Sequence, residues 1–130
     1  MAIVRFDPFR GLSVMQGEGA WVPAVDIYET ASNQFVIKAE LPEMKREAIA
    51  VTVEHGTLTI SGERVPAGDV PRDAFRRVER AYGKFSRRFS LPRSVDVSKV
   101  AAEYKDGVLT VTLPMREESK PRSVPVAVAS

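Results

Sequence analysis

Apolar and polar residues alternate along most of the chain between residues 21 and 114. In the segment 35–41 every second residue is apolar, and the residues between them include Lys38 and Glu40. The alternation recurs downstream, with apolar positions at Ile49, Val51, Val53, Leu58, Ile60, Phe85, Phe89, Leu91, Leu109, Val111 and Leu113. A period of two places such side chains on one face of a β-strand. The pattern therefore predicts half-buried strands and no long helix.

Turn-forming residues separate these predicted strands. Ser32-Asn33, His55-Gly56 and Asp106-Gly107 each fall between two alternating segments. The last two pairs suit tight antiparallel hairpins or short strand links, because glycine adopts the positive φ that such turns require. Short strands at close spacing, joined in this way, predict an all-β fold of the antiparallel, immunoglobulin-like β-sandwich type.

Two regions interrupt the strand pattern. Residues 1–20 form an apolar arm, in which Asp7-Pro8 is typical of the start of a short helix. A helix of that length is marginal alone, so the arm needs a surface to lie on. Residues 64–78 contain proline and glycine at a density that predicts a long loop. Such loops are uncommon in compact domains and are often functional.

The expected organisation is a flexible arm over residues 1–20, a domain over residues 21–115 and a C-terminal extension over residues 116–130. The extension begins with a polar tether, which leads to Val124-Pro125-Val126. Proline fixes its own φ and favours extended geometry in the residue before it. Two valines held in an extended segment suit addition to the edge of a sheet. A frayed, disordered tail is the plainer alternative.

Composition argues against catalysis. The chain has 130 residues, a formal net charge of +2 and no cysteine, which removes disulfides, thiol nucleophiles and thiolate metal sites. Its one histidine, His55, lies at a predicted turn with little to orient it. We expect a protein that is not an enzyme and uses no metal or cofactor. No segment approaches the roughly 20 apolar residues of a membrane span, and Asp7-Pro8 interrupts any secretory signal, so we expect a soluble, cytoplasmic protein.

One charged residue falls on a predicted apolar face. Alternation places Arg87 on the same side as Phe85 and Phe89, whereas Arg88 faces the other way. A charge among apolar residues must be paired, because burying it unpaired is costly. One interpretation is a side chain that extends to solvent at the sheet margin. The other is an ion pair across a subunit interface.

Taken together and in order, several motifs resemble the small heat-shock protein, or alpha-crystallin, family. The motif of Ala, three variable residues, a turn residue and Gly-Val-Leu is matched by Ala102, Asp106, Gly107, Val108 and Leu109. The motif Phe-x-Arg-x-Phe-x-Leu-Pro is matched by Phe85, Arg87, Phe89, Leu91 and Pro92. The Ile/Val-x-Ile/Val tail motif is matched by Val124, Pro125 and Val126. The domain start at Pro23, Val25, Asp26 and Ile27, the Leu41-Pro42 step and the arm sequence Phe6-Asp7-Pro8-Phe9 are also similar to the bacterial type.

This resemblance implies an ATP-independent holdase chaperone that binds partly unfolded client proteins and prevents their aggregation under heat or other stress. Dimers would assemble into a larger homo-oligomer as the tail motif docks in a neighbour's apolar groove, which maps here to Ile49, Val51, Val53, Val100 and Ala102. Dimer contacts would involve Arg87, Val78, Glu79 and Arg80, with a strand exchanged from the loop Arg64–Arg80. Clients would meet the arm at Ile3, Val4, Phe6, Phe9 and Leu12. Valines in place of the commoner isoleucine imply weaker docking of the tail.

Other functions stay open on the sequence alone. The same fold serves CS-domain co-chaperones, which bind a larger chaperone as monomers. Aromatic residues interleave with arginines between Arg72 and Arg88, as in nucleic-acid stacking surfaces. Asp73 and Glu79 offer those arginines partners within the chain, so we expect no specific nucleic-acid partner. The apolar arm also suits association with a membrane surface.

Overall fold

A computed structural model describes residues 12–14, 17–119 and 123–129. Within these residues the chain forms β-strands joined by turns, loops and short 3₁₀ helices. The strands are β1 (Ser13–Val14), β2 (Glu18–Gly19), β3 (Val25–Glu29), β4 (Gln34–Glu40), β5 (Ile49–Glu54), β6 (Thr57–Arg64), β7 (Gly83–Ser90), β8 (Ala101–Lys105) and β9 (Val108–Pro114). The 3₁₀ helices span Arg46–Ala48, Arg72–Ala74, Val97–Lys99 and Glu117–Ser119.

The strands make two antiparallel sheets that enclose one core. The first sheet has the order β1-β7-β6-β5, with β2 also paired to β7, and the second has the order β3-β4-β9-β8. Both sheets contribute to the buried cluster, whose members are Leu12, Phe35, Ile37, Ala39, Leu41, Leu58, Ile60, Phe85, Phe89, Val95, Leu109, Val111 and Leu113. The predicted all-β sandwich is therefore confirmed.

The two predicted hairpins are present, and each has a tight turn. The β5–β6 turn places His55 at φ 51° and Gly56 at φ 72°, and the β8–β9 turn places Asp106 at φ 54° and Gly107 at φ 76°. Two successive residues with positive φ define the turn type that matches the twist of paired strands. Turn chemistry in the sequence thus determines the register of both hairpins.

Strand β4 departs from strict alternation. Val36 is buried although it lies on the opposite face from Phe35 and Ile37. Its cross-strand partners on that outer face are Tyr28 of β3 and Thr112 of β9. Because β4 is flanked on both sides, these neighbours cover the valine without a second core.

The N-terminal segment differs from the expected separate arm. Val14 pairs with Phe89 and Gly19 with Phe85, so residues ahead of Trp21 extend the first sheet. Leu12, which the resemblance assigned to client binding, is only 6% exposed and belongs to the core. In this conformation its side chain is buried and cannot contact a client. The strands β1 and β2 have two residues each, too short to show a period. The other predicted arm residues, Ile3, Val4, Phe6 and Phe9, and the predicted helix start at Asp7-Pro8 lie outside the described residues.

Candidate functional site

Strands β5 and β8 are the edges of the two sheets on one flank of the sandwich. In the described part of the chain, β5 pairs only with β6 and β8 pairs only with β9. Residues 41–48 cross from the second sheet to the first and lead directly into β5. Tyr104 of β8 reaches this crossover, since its hydroxyl group donates a hydrogen bond to the Leu41 carbonyl oxygen and accepts one from the Met44 N–H at 3.2 Å. The crossover thus ties the two edges together.

The inward face of β5 is apolar but incompletely covered. Its residues on this face are Ile49, Val51 and Val53, which pair with Gly62, Ile60 and Leu58 of β6. All three pack against the core cluster and remain half-buried. They stay accessible because no further strand of the described chain lies beyond β5.

The inward face of β8 has the same character. Ala102 pairs with Val111 and Tyr104 with Leu109, both of which are core residues of β9. Tyr104 and the preceding Val100 are half-buried, whereas Ala102 between them is exposed. We call Ile49, Val51, Val53, Val100, Ala102 and Tyr104 the apolar flank. The structure therefore gathers the predicted groove residues on one side of the sandwich and adds Tyr104.

The C-terminal valines are not covered by their own subunit. Val124 is 71% exposed and Val126 is 91% exposed, and Val128 further along is 93% exposed. Residues 123–129 form no regular secondary structure and no pairing with either sheet. The tail therefore has no partner within the described residues. Because a row of exposed apolar side chains is unfavourable in water, burial against another surface would stabilise it.

The sequence predicts a long loop over residues 64–78, and in the structure the loop spans residues 65–82, with Arg64 as the last residue of β6. The loop contains the 3₁₀ helix Arg72–Ala74 and no strand. A cavity of about 430 Å³ separates it from the crossover, with Met44, Val65, Val70 and Phe75 among its lining residues. Val65 and Val78 are themselves largely exposed. The loop is therefore rich in apolar surface that its own domain does not bury.

Arg64 holds the base of this loop. Its side chain is 7% exposed, and its Nε and Nη2 groups both donate to the Ala81 carbonyl oxygen. The guanidinium carbon lies 4.5 Å from the Trp21 ring centroid and 5.3 Å from that of Tyr82. Carbonyl dipoles and two aromatic faces thus take the place of a carboxylate partner.

Arg87 shares the core-facing side of β7, as its pairing with Ile60 shows. Its Nη1 donates to the Pro23 carbonyl oxygen at 2.9 Å, and its guanidinium carbon lies 5.8 Å from the Phe89 ring centroid. The Nε atom is buried, and no group among the described residues accepts a hydrogen bond from it. Arg87 is thus half-buried, and among the described residues no carboxylate pairs with it.

The other predicted dimer residues lie on the surface of the long loop. Val78 is 60% exposed. Glu79 forms a solvent-exposed ion pair with Arg77 at 3.2 Å. Arg80 reaches the crossover, where its Nη2 lies 2.6 Å from a carboxylate oxygen of Glu43, and the hydrogen bond to Glu43 raises the pKa of Arg80. Among the residues that the structure describes, strand β3 pairs only with β4 and is the edge of the second sheet away from the apolar flank.

No side-chain arrangement among the described residues suggests catalysis. His55 is exposed at the hairpin tip, and its only close charged neighbour is the equally exposed Glu54, at 3.4 Å. Within the part of the chain that the structure describes, no group of histidine, aspartate and glutamate residues is positioned to hold a metal ion. None of the helices there is long and apolar enough to span a bilayer.

Two structurally important residues escaped the sequence-based prediction. Arg64 continues the alternation of Leu58 and Ile60 and so falls on the inward face of β6. Tyr104 likewise follows Val100 and Ala102 at a spacing of two. The signal available in the sequence was the position of each residue in the two-residue alternation of its strand. The carbonyl groups and rings that satisfy these side chains come from distant segments, so their partners were not visible in the sequence.

Comparisons with known proteins agree on one family. A family model described as the Hsp20/alpha crystallin family matches residues 27–127. Spore protein SP21 of Stigmatella aurantiaca is 37% identical, over 96% of this chain and 76% of its own length. A 17.8 kDa class I heat shock protein of Arabidopsis thaliana is 43% identical, over 91% of this chain and 78% of its own length.

A solved structure supports the same assignment. The crystal structure of a small heat-shock protein from Xylella fastidiosa superposes with a TM-score of 0.70 at 40% sequence identity. The match covers 84% of this chain and 99% of the other. Its description reports a distinct high order structure for that protein.

Proposed function

The chain belongs to the Hsp20/alpha-crystallin family of small heat-shock proteins, and we propose that it is an ATP-independent holdase that keeps partly unfolded client proteins from aggregating under heat or other stress. The observation that carries the proposal is the amount of apolar surface left uncovered by the subunit: the tail valines, the apolar flank and the long loop. A holdase requires apolar surface for unfolded chains. We expect it to act in the cytoplasm without a cofactor or catalytic step.

We propose that the tail of one subunit docks on the apolar flank of another. Val124 and Val126 supply two exposed side chains, and Pro125 favours the extended geometry of an added strand. The receiving strands β5 and β8 each have an edge that no other described strand pairs with, and their inward faces are incompletely covered. Burying one valine contributes about 1.5–3 kcal/mol at most. A single contact is therefore weak, and repetition around an oligomer makes it effective.

We propose that the dimer forms by exchange of part of the long loop onto the free edge of β3 in the partner. The exposed backbone edge of β3 and the exposed Val78 support this arrangement. Arg87 is half-buried, and no carboxylate among the described residues pairs with it, so an acidic side chain of the partner would complete its pairing. Glu79 is a candidate because it lies on the exchanged segment. Exchange would also require Arg80 to release Glu43.

We propose that clients bind where apolar surface becomes free, at the arm residues Ile3, Val4, Phe6 and Phe9 and at the vacated flank. Heating or dilution would release the weakly held tails and expose the flank. Cross-linking the tail to the flank tests this gating directly. Client protection at elevated temperature should fall when the tails cannot leave. Unchanged protection would contradict gating by tail release.

The deciding experiment combines subunit assembly with client protection. Native mass spectrometry of the full chain should show a large assembly, and the double variant Val124→Ala/Val126→Ala should shift it towards dimers. Val97→Ala, an exposed valine outside the tail and loop, is the matched control and should leave the mass unchanged. In parallel, the intact protein should suppress heat-induced aggregation of a client without ATP. A monomer without such suppression would rule out the proposal and favour a monomeric co-chaperone.

A further inference from the structure

The tail carries a third exposed valine with the same spacing as the first two. Val124, Val126 and Val128 lie two residues apart, and all three are at least 71% exposed. The residues between and after them are Pro125, Ala127 and Ala129, which are small or cyclic. If the segment is laid down as a strand, a period of two places the valines on one side and these residues on the other. No charged residue interrupts the row from Val124 to Ala129.

The apolar flank has three matching positions. On β5 they are Ile49, Val51 and Val53, and along the other edge they are Val100, just before β8, and Ala102 and Tyr104 on β8. Each set is spaced by two residues, as in the tail. A strand rises about 3.3 Å per residue, so three such positions span about 13 Å in the flank and in the tail. A two-valine motif would leave one position of the flank uncovered.

We propose, resting on the tail docking proposed above, that Val128 is a third docking residue and that the working motif is Val124-Pro125-Val126-Ala127-Val128. The occupant of the flank is this segment from a second copy of the chain. Val126 would lie over the middle of the flank, next to the exposed Ala102, whichever direction the tail runs. Val124 and Val128 would cover the two ends.

The flank offers space at its middle position. Ala102 is exposed although its strand partner Val111 is fully buried and its neighbours Val100 and Tyr104 are half-buried. A methyl group between two larger side chains leaves a depression that a valine can fill. A third valine also offsets the smaller size of valine relative to isoleucine at the first two positions, because apolar burial scales with area.

Single substitutions in the full chain test the proposal. Val128→Ala removes two methyl groups, and the loss of this half-buried apolar contact should raise the dissociation constant of each tail contact about 3- to 10-fold. Native mass spectrometry over a dilution series should show dissociation of the oligomer at a correspondingly higher protein concentration, and Val128→Ile should shift it the opposite way. Ala127→Ser, on the other side of the tail, is the control and should leave the dissociation unchanged.

A cross-link locates the register. The chain has no cysteine, so Ala102→Cys with Val126→Cys introduces one defined pair. A disulfide requires Cα atoms within about 7 Å, so this pair should form an intermolecular bond in the oligomer. Val128→Cys with Ala102→Cys should cross-link much less, because Val128 would lie one position away.

The outcomes separate this inference from the docking on which it depends. If Val124→Ala/Val126→Ala disassembles the oligomer while Val128→Ala and Val128→Ile do nothing, two valines suffice and the third-residue proposal is wrong. If none of the tail variants alters assembly, tail docking itself is wrong. Preferred cross-linking of Ala102→Cys to Val128→Cys would also overturn the proposed register.

Discussion

The hydroxyl group of Tyr104 on β8 donates a hydrogen bond to the carbonyl oxygen of Leu41, at the start of the crossover between the sheets. The same oxygen atom of Tyr104 accepts a hydrogen bond from the Met44 N–H at 3.2 Å. One edge of the apolar flank is therefore fastened to the chain segment that leads into the other edge.

Tyr104→Phe should destabilise the domain while preserving the ring. The substitution leaves the Leu41 carbonyl and the Met44 N–H without this partner, and a partly buried polar group left unpaired costs about 1–3 kcal/mol. Urea unfolding followed by circular dichroism measures the change. Tyr28→Phe on β3, whose ring is exposed, should have little effect. Equal losses for both variants would show that the crossover bonds are unimportant.

Arg64→Lys should loosen the base of the long loop. Lysine keeps the charge but loses the two N–H groups that reach the Ala81 carbonyl and the contacts of the guanidinium with the Trp21 and Tyr82 rings. We expect a loss of about 1–3 kcal/mol in the free energy of unfolding. Trp21 is the chain's one tryptophan, so its fluorescence reports the change locally. Arg76→Lys, in the exposed part of the loop, is the control. An unchanged Trp21 spectrum in Arg64→Lys would argue against a stabilising contact between Arg64 and Trp21.

Gly62→Ala should displace the β5 edge. A Cβ atom at this position would collide with the Ala48 carbonyl oxygen and lie 3.1 Å from the Phe85 ring. Such overpacking typically costs about 1–3 kcal/mol, and thermal unfolding should reveal it. Gly68→Ala, where nothing lies within 4 Å of the added atom, is the matched control. We expect it to be neutral or stabilising, because alanine restricts the unfolded chain.

Asp96 should contribute a pH-dependent part of the stability. A hydrogen bond from the Ser98 hydroxyl, at 2.6 Å, is the main cause that lowers the pKa of this carboxyl below its usual 3.8. Because the pKa of Asp96 is lower in the folded than in the unfolded state, its carboxylate stabilises the fold at pH values above the unfolded-state pKa. That stabilisation is lost as the pH falls through the folded-state pKa. Ser98→Ala should therefore raise the pKa of Asp96 and lower stability at neutral pH.

The stability difference between Ser98→Ala and the parent chain should shrink in acid, as Asp96 becomes protonated in both proteins. Carboxyl chemical shifts from NMR titration give the pKa, and urea unfolding at several pH values gives the stability. Ser119→Ala, in the exposed 3₁₀ helix near the tail, serves as the control. A difference that persists unchanged below the pKa of Asp96 would contradict the assignment.

The sequence predicts the strand pattern, the two hairpins and the face of β7 on which Arg87 lies, because each depends on neighbours close in the chain. Alternation decides which face a side chain occupies, and His55-Gly56 and Asp106-Gly107 determine their own turns. Leu12 could not be placed in this way. Its burial depends on the short pairing of Val14 with Phe89, more than 70 positions away.

Alternation, turn residues and motif spacing were enough to predict the longer strands, the family and the tail motif, since these depend on local spacing and residue type, whereas the two-residue strands β1 and β2 were not predicted. The three-dimensional structure, by contrast, shows that within the described residues β5 and β8 are the open edges of one flank. It also shows that Tyr104 ties that flank to the crossover and that Arg64 contacts carbonyl groups and aromatic rings. These contacts could not be predicted from the sequence because they join residues distant in the chain, whose meeting depends on how the two sheets stack around the core.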